Sequence, residues 1–219
     1  MVQRLEPSLL REMATRLSRH DRDEMAIPSY LHPNPVLRWM AWRRVEVVGR
    51  LLQRTCPPGG VVLDFGCGTG VLFEAALARA DRVYGVDLVL DAAALLVQRR
   101  GLGGVILVPA AEAEARIAEN SVDVVVAAEV LEHLDDLAAT LGFFRRVLRP
   151  GGHLLVSLPT ENRAYRFGRR LAGFTGEYHE HDADSVHAAL AAAGWRRVLR
   201  RRIPLPGPLT IYEVGAYQP

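Results

Sequence analysis

Five short apolar runs, at 61–65, 82–87, 105–108, 122–128 and 153–158, constrain this chain more than any other feature. Each is continuously rich in Val, Leu and Ile rather than alternating apolar with polar, the pattern of a strand covered on both faces. Between them lie stretches of helical composition, at 70–80, 90–100, 111–118 and 134–148. Strand and helix in regular turn predict an α/β fold: a mostly parallel sheet, right-handed crossovers and helices on both faces. The 219 residues are 49% hydrophobic and 24% charged, enough for one core of ordinary size and unlike a disordered chain.

The first sixty residues differ. Pro7, Pro28, Pro33 and Pro35 punctuate helix-like pieces at 7–18 and 35–54, and Pro57-Pro58-Gly59-Gly60 stops the second before the first strand. Residues 1–58 are therefore expected to form an N-terminal helical cap over the mouth of the sheet, and residues 59–219 the sheet domain itself. After the fifth run comes an Arg-rich segment to Phe174, then a helix at 183–193 closed by Gly194, then two strands at 196–203 and 209–217. No run of about 18 apolar residues is present, so no integral membrane segment is expected. The N-terminal residues lack the apolar stretch of a secretory signal. Cys56 and Cys67 do not make a disulfide framework, and a cytoplasmic location is the expectation.

The chemistry starts at Asp64-Phe65-Gly66-Cys67-Gly68-Thr69-Gly70. A buried strand runs into three glycines at alternate positions and then a helix. Loops of this kind turn sharply and admit a ligand close to main-chain atoms. Position 71 is Val, so the Gly-x-Gly-x-x-Gly spacing of a dinucleotide site is not met. The second strand ends at Asp87, placed to accept hydrogen bonds from a ribose diol or to cap the following helix.

With Asp87 beside it, this loop resembles that of the class I S-adenosylmethionine-dependent methyltransferases. Glu129-Val130-Leu131-Glu132-His133-Leu134 after the fourth run and Leu148-Arg149-Pro150-Gly151-Gly152 before the fifth fit the same family in the same order. The resemblance covers roughly residues 58 to 160. It implies a Rossmann-like seven-stranded sheet, mostly parallel, with an antiparallel last strand, and S-adenosylmethionine as cofactor. Its implied cofactor contacts are Asp64, Gly66, Cys67, Gly68, Gly70, Asp87, Leu88, Ala111, Glu112 and Glu129. Asp64 would balance the positive methionine end or brace the loop. Relatives often carry an acid where this chain has Ala111, so adenine contact falls either to the Glu112 side chain or to the backbone of Ala111 and Glu112.

Glu129, Glu132 and His133 would face one spot if their turn is helical. His133 then serves as a general base held by Glu132. Alternatively Glu129, Glu132 and His133 hold a divalent metal with His179 or His181, or Glu132 and His133 merely cap a helix. The six-residue run is similar to that of the ubiquinone-pathway O-methyltransferases and to the metal-binding run of small-RNA 2′-O-methyltransferases. All 27 cations are Arg, and the net charge is +2. Arg163, Arg166, Arg169 and Arg170 would share one helix face, as an anion site or a solvated surface. Trp39 and Trp42 are expected in the core. No aromatic cluster for RNA recognition is visible. The expected partner is a small-molecule acceptor, anionic or aromatic, methylated on a hydroxyl oxygen. RNA ribose methylation with a metal, or cofactor binding without turnover, are the alternatives.

Overall fold

The computed structural model describes residues 2–160 and 183–219. Seven strands form one sheet: β1 (Gly60–Phe65), β2 (Ala80–Asp87), β3 (Val105–Pro109), β4 (Val122–Ala128), β5 (Leu148–Pro159), β6 (Arg196–Ile203) and β7 (Tyr212–Gln218). Their order is β3-β2-β1-β4-β5-β7-β6. β1 pairs in parallel with β2 and β4, β2 with β3, and β4 with β5. β7 pairs antiparallel with β5 and β6, so it alone runs against the rest. Each of the five apolar runs is a strand, and the expected sheet with its reversed last strand is present. The chain steps from β1 outward to β2 and β3, then returns to the other side of β1 at β4. That reversal opens a crevice beyond the carboxyl ends of β1 and β4.

Four helices precede the sheet: α1 (Pro7–Thr15), α2 (Arg19–Glu24), α3 (Ile27–Tyr30) and α4 (Pro35–Thr55). The described helices that follow are α5 (Phe73–Leu77), α6 (Asp91–Arg100), α7 (Ala113–Arg116), α8 (Leu137–Val147) and α9 (Ala183–Ala192). α4 opens with Pro35 behind an Asn34 cap, whose side chain accepts from the amides of Val36 and Leu37. Trp42, Val45, Val48 and Leu52 of α4 join Val62, Val124, Val126 and Val214 of the sheet in one apolar cluster. On the other sheet face, Leu141, Phe144 and Val147 of α8 and Val186 and Leu190 of α9 cover Leu63, Val125 and Leu154. Trp42 stacks on Tyr30 at 4.5 Å between ring centroids, whereas Trp39 is 43% exposed. Only one of the two tryptophans expected in the core is there.

Several elements are shorter than the pattern predicts; the stretch at 70–80, for one, holds only Phe73–Leu77 as helix. α8 starts at Leu137 because the Asp136 side chain accepts from Ala139 N at 2.8 Å and fixes the first turn there. The stretch at 111–118 divides into a 3-10 turn, Ala110–Glu112, and the single turn of α7. At the outer edge, Glu213 of β7 is buried and meets Arg197, Arg200 and Arg202 of β6 and His187 of α9. Burial pushes its pKa up, but the hydrogen bonds and charges of His187 and Arg200 outweigh burial and bring it down to about 2. No described helix is long and apolar enough to cross a membrane.

Candidate active site

A cleft of about 490 Å³ opens where β1, β2 and β4 end, a volume typical of sites for small ligands. The β1 loop forms its floor. Gly66 N and Cys67 N both donate to Val86 O, at 2.8 and 3.0 Å. Gly66 has φ +74, and a Cβ there would lie 2.7 Å from the Val130 side chain. Only glycine lets the loop pass beneath the end of β4. Gly68, at φ +51, has Met25 3.5 Å beyond the position of its missing Cβ, and both residues line the cleft.

Asp87 holds this loop as well as facing the cleft. Its Oδ2 accepts from Gly68 N at 2.7 Å, and its Oδ1 accepts from Val89 N at 3.3 Å. It does not cap a helix at residue 88, because α6 begins only at Asp91. Asp64 is buried, and burial together with the Asp87 carboxylate raises its pKa to about 7. Burial and the same two acids push the Cys67 thiol well up. Leu88 stands at the rim, 88% exposed. Asp64, Gly66, Cys67, Gly68, Asp87, Leu88, Glu129 and His133 all line the cleft. Gly70 does not; it supports the loop from behind, against Phe73.

The turn after β4 is not an α-helical one. Glu129 takes a left-handed backbone, φ 61, and a 3-10 turn at Leu131–His133 follows. Of the three polar side chains, Glu129 and His133 line the cleft and Glu132 does not. His133 faces the cleft, with Nε2 3.9 Å from Glu24 Oε2 of α2. Glu132 is 1% exposed and is not part of the cleft wall. Glu129 directs Oε1 to the Ser157 hydroxyl, which donates at 2.8 Å, and Oε2 to an ion pair with Arg44. Among the described residues, no three His, Cys, Asp or Glu side chains are grouped as a metal site. His179 and His181 lie outside the described residues, as do Arg163, Arg166, Arg169 and Arg170.

The end of β3 is offset from expectation by one residue. Ala110 lines the cleft, while Ala111 and Glu112 do not. The strand ends at Pro109 and the 3-10 turn starts at once, carrying Glu112 outward to pair with Arg116 at 2.6 Å. Sequence reasoning missed Asp21 and Glu24 of α2, Met25, Tyr30 of α3 and Arg44 of α4, all from the N-terminal segment, and Ser157 of β5. Burial opposes the Arg44 charge, but Glu129, Tyr30 and Tyr212 together outweigh it and keep the guanidinium pKa above its ordinary value.

Residues 38–200 match the sequence profile of the methyltransferase domain. The chain belongs to that family. A probable S-adenosylmethionine-dependent methyltransferase of Mycolicibacterium smegmatis is 41% identical over 118 residues, 54% of this chain and 45% of that protein. A ubiquinone biosynthesis O-methyltransferase of Stutzerimonas stutzeri is 36% identical over 113 residues, 50% of this chain and 49% of that protein. The methyltransferase domain thus spans about half the length of the curated relatives it matches. Among solved structures, the N-methyltransferase NodS of Bradyrhizobium japonicum in complex with S-adenosyl-L-homocysteine superposes with a TM-score of 0.66. The superposition covers 95% of this chain and 97% of that one, at 21% identity, and shows the shared fold.

Proposed function

We propose that this domain transfers a methyl group from S-adenosylmethionine to a hydroxyl oxygen of a small molecule. The observation that carries the reading is one cleft holding an open glycine loop, two carboxyl groups at adjacent strand ends, and a histidine.

The residues suit the cofactor. Asp64 is a buried carboxyl whose neighbour is another acid, a setting that favours a cationic ligand. Asp87 has spare lone pairs beyond its bonds to Gly68 N and Val89 N for a ribose diol. The exposed side chain of Leu88 offers an apolar cover beside it. When bound, the cofactor supplies a methyl already activated on sulfonium. What remains for the protein is placement of the acceptor and removal of one proton. His133 accepts the hydroxyl proton, and Glu24 steadies the resulting imidazolium. Transfer to oxygen is favoured by that histidine and by the likeness to the ubiquinone biosynthesis O-methyltransferases. The reading places the domain in a reducing cytoplasm, in keeping with Cys56 and Cys67 as buried free thiols.

Incubation with cofactor labelled in its methyl group, a pool of phenols and catechols, and a separate pool of RNA tests the reading. Label is expected in the small-molecule pool, with no loss on adding a chelator. Label confined to RNA, or absent from both pools, would overturn it.

A further inference from the structure

Exposed apolar side chains scattered singly over a surface need no explanation. Among the described residues, four of the seven large ones, Val36, Trp39, Leu205 and Leu209, belong to one corner of the molecule. α4 runs down the sheet. Its Arg44 meets Glu129 beyond the carboxyl end of β4, and the helix ends at Thr55, next to the start of β1. The first two turns of α4 therefore rise past the carboxyl ends of the strands, with Trp39 about 7.5 Å and Val36 about 12 Å further along the axis than Arg44. The turn between β6 and β7 stands at the same end, because Ile203 pairs with Tyr212 and Tyr212 with Pro159 at the end of β5. The Tyr212 ring lies 5.4 Å from the Arg44 guanidinium carbon, which sets that turn beside α4.

The turn holds its leucines outward. Pro204, Pro206 and Pro208 each fix a backbone φ. Thr210 Oγ1 donates to Leu205 O at 2.9 Å, Thr210 N donates to Gly207 O at 3.0 Å, and Thr160 Oγ1 donates to Thr210 O at 2.7 Å. In this pinned backbone Leu205 and Leu209 are 58% and 57% exposed.

The charge next to the leucines is basic. Residues 196–219 carry Arg196, Arg197, Arg200, Arg201 and Arg202 against one acid, Glu213, which is buried. Arg201 and Arg202, just before the turn, are exposed, and so is Arg38 beside Trp39. Residues 161–182 hold four arginines and four acids in sequence and add no net charge. α2 carries Asp21, Asp23 and Glu24 against Arg19 and Arg22, and of these acids Asp21 and Glu24 line the cleft. Outward leucines, an indole at the end of a helix and arginines beside them match the three layers of a bilayer surface: acyl boundary, interface and anionic headgroups.

We propose that this corner docks the protein on an anionic lipid bilayer, with Leu205, Leu209 and Trp39 entering the interface and Arg38, Arg201 and Arg202 meeting the lipid phosphates.

The test is binding to vesicles of phosphatidylcholine and phosphatidylglycerol in equal parts, against vesicles of phosphatidylcholine alone. Trp42 and Trp195 are buried, so Trp39 is the exposed indole of the three. With anionic vesicles its emission should move to shorter wavelength and become shielded from acrylamide. Co-sedimentation with phosphatidylcholine alone should be at least about tenfold weaker. This comparison needs no variant to fold. The double variant Leu205→Asp, Leu209→Asp should lose at least about tenfold in vesicle affinity and keep the Tm of the parent. Arg201→Gln should lose about fivefold, the effect of one cation near an anionic surface, and Trp39→Phe should abolish the emission change. No co-sedimentation with anionic vesicles, equal binding to both vesicle types, or parent-level binding by the leucine double variant overturns the proposal. A parent that sediments as a dimer in solution and becomes a monomer in the leucine double variant assigns the corner to a second copy and likewise overturns it. None of these readouts depends on methyl transfer, so their failure leaves the reading of the cleft in place.

Discussion

The glycine-loop wall of the cleft and the Arg44 wall differ in what holds them. On the first, main-chain groups dominate: two amides share Val86 O, and Asp87 takes the Gly68 amide. The geometry there follows from strand ends in register and needs few particular side chains. On the second, side chains far apart in sequence meet, Arg44 of α4 with Glu129 after β4, and Glu129 with Ser157 of β5. A backbone-built wall suits a ligand that never changes, and a wall built from side chains can be retuned by substitution. On the proposed reading, the cofactor lies against the first wall and the acceptor against the second.

Four measurements break or sharpen this contrast. The largest effect should come from His133→Ala, which removes the proposed base. Turnover should fall by about 10²–10⁴-fold, while calorimetric affinity for S-adenosylhomocysteine stays at the parent value. A fall in both would put His133 on the cofactor wall. Asp87→Ala comes next. It deletes the diol acceptor and the brace on Gly68 N, so affinity for S-adenosylhomocysteine should drop about tenfold to a hundredfold; unchanged affinity would remove Asp87 from the site.

The third effect is graded by pH. The pKa of Asp64 lies at about 7 in the ligand-free protein, and a cationic cofactor favours its ionised form, lowering that pKa in the complex. Below pH 7, binding must therefore expel a proton. Affinity for S-adenosylmethionine should weaken by up to about tenfold per unit as pH falls under 7, and level off above it. Titrations in two buffers of different ionisation enthalpy would show the released proton, and a flat profile from pH 6 to 8 would contradict the charge-balancing role. The smallest effect should be that of Glu112→Ala. Its carboxylate is engaged with Arg116 on the surface, so cofactor affinity should change by less than about twofold; a larger loss would show that the side chain swings inward.

The same contrast explains what could be read from the sequence. Strand positions were legible because burial on both faces demands continuous apolar runs, as at Val122–Ala128. The loop and Asp87 were legible because their placement is tied to strand ends and to glycine. Arg44 left no local signal: it is one arginine among 27, on a helix whose neighbours read as core, and its partner is remote in the chain. Glu132 was misplaced for a different reason. The spacing of Glu129, Glu132 and His133 converges only on an α-helical turn, and the left-handed backbone of Glu129 breaks that turn. Ala110 rather than Ala111 reached the cleft because a strand pattern does not fix its last residue, and here Pro109 ends it.

The arginine-laden strand β6 has a consequence for how this molecule behaves in company. As the outermost of the described strands, beyond β7, it has no described strand on its far side, and an edge of that kind is a template for another chain. Arg196, Arg197, Arg200, Arg201 and Arg202 are all exposed along it, three of them steered toward Glu213. A second copy adding edge to edge would bring guanidinium against guanidinium, with one buried acid per copy to offset the repulsion. Like charges along such an edge disfavour pairing of one copy with another.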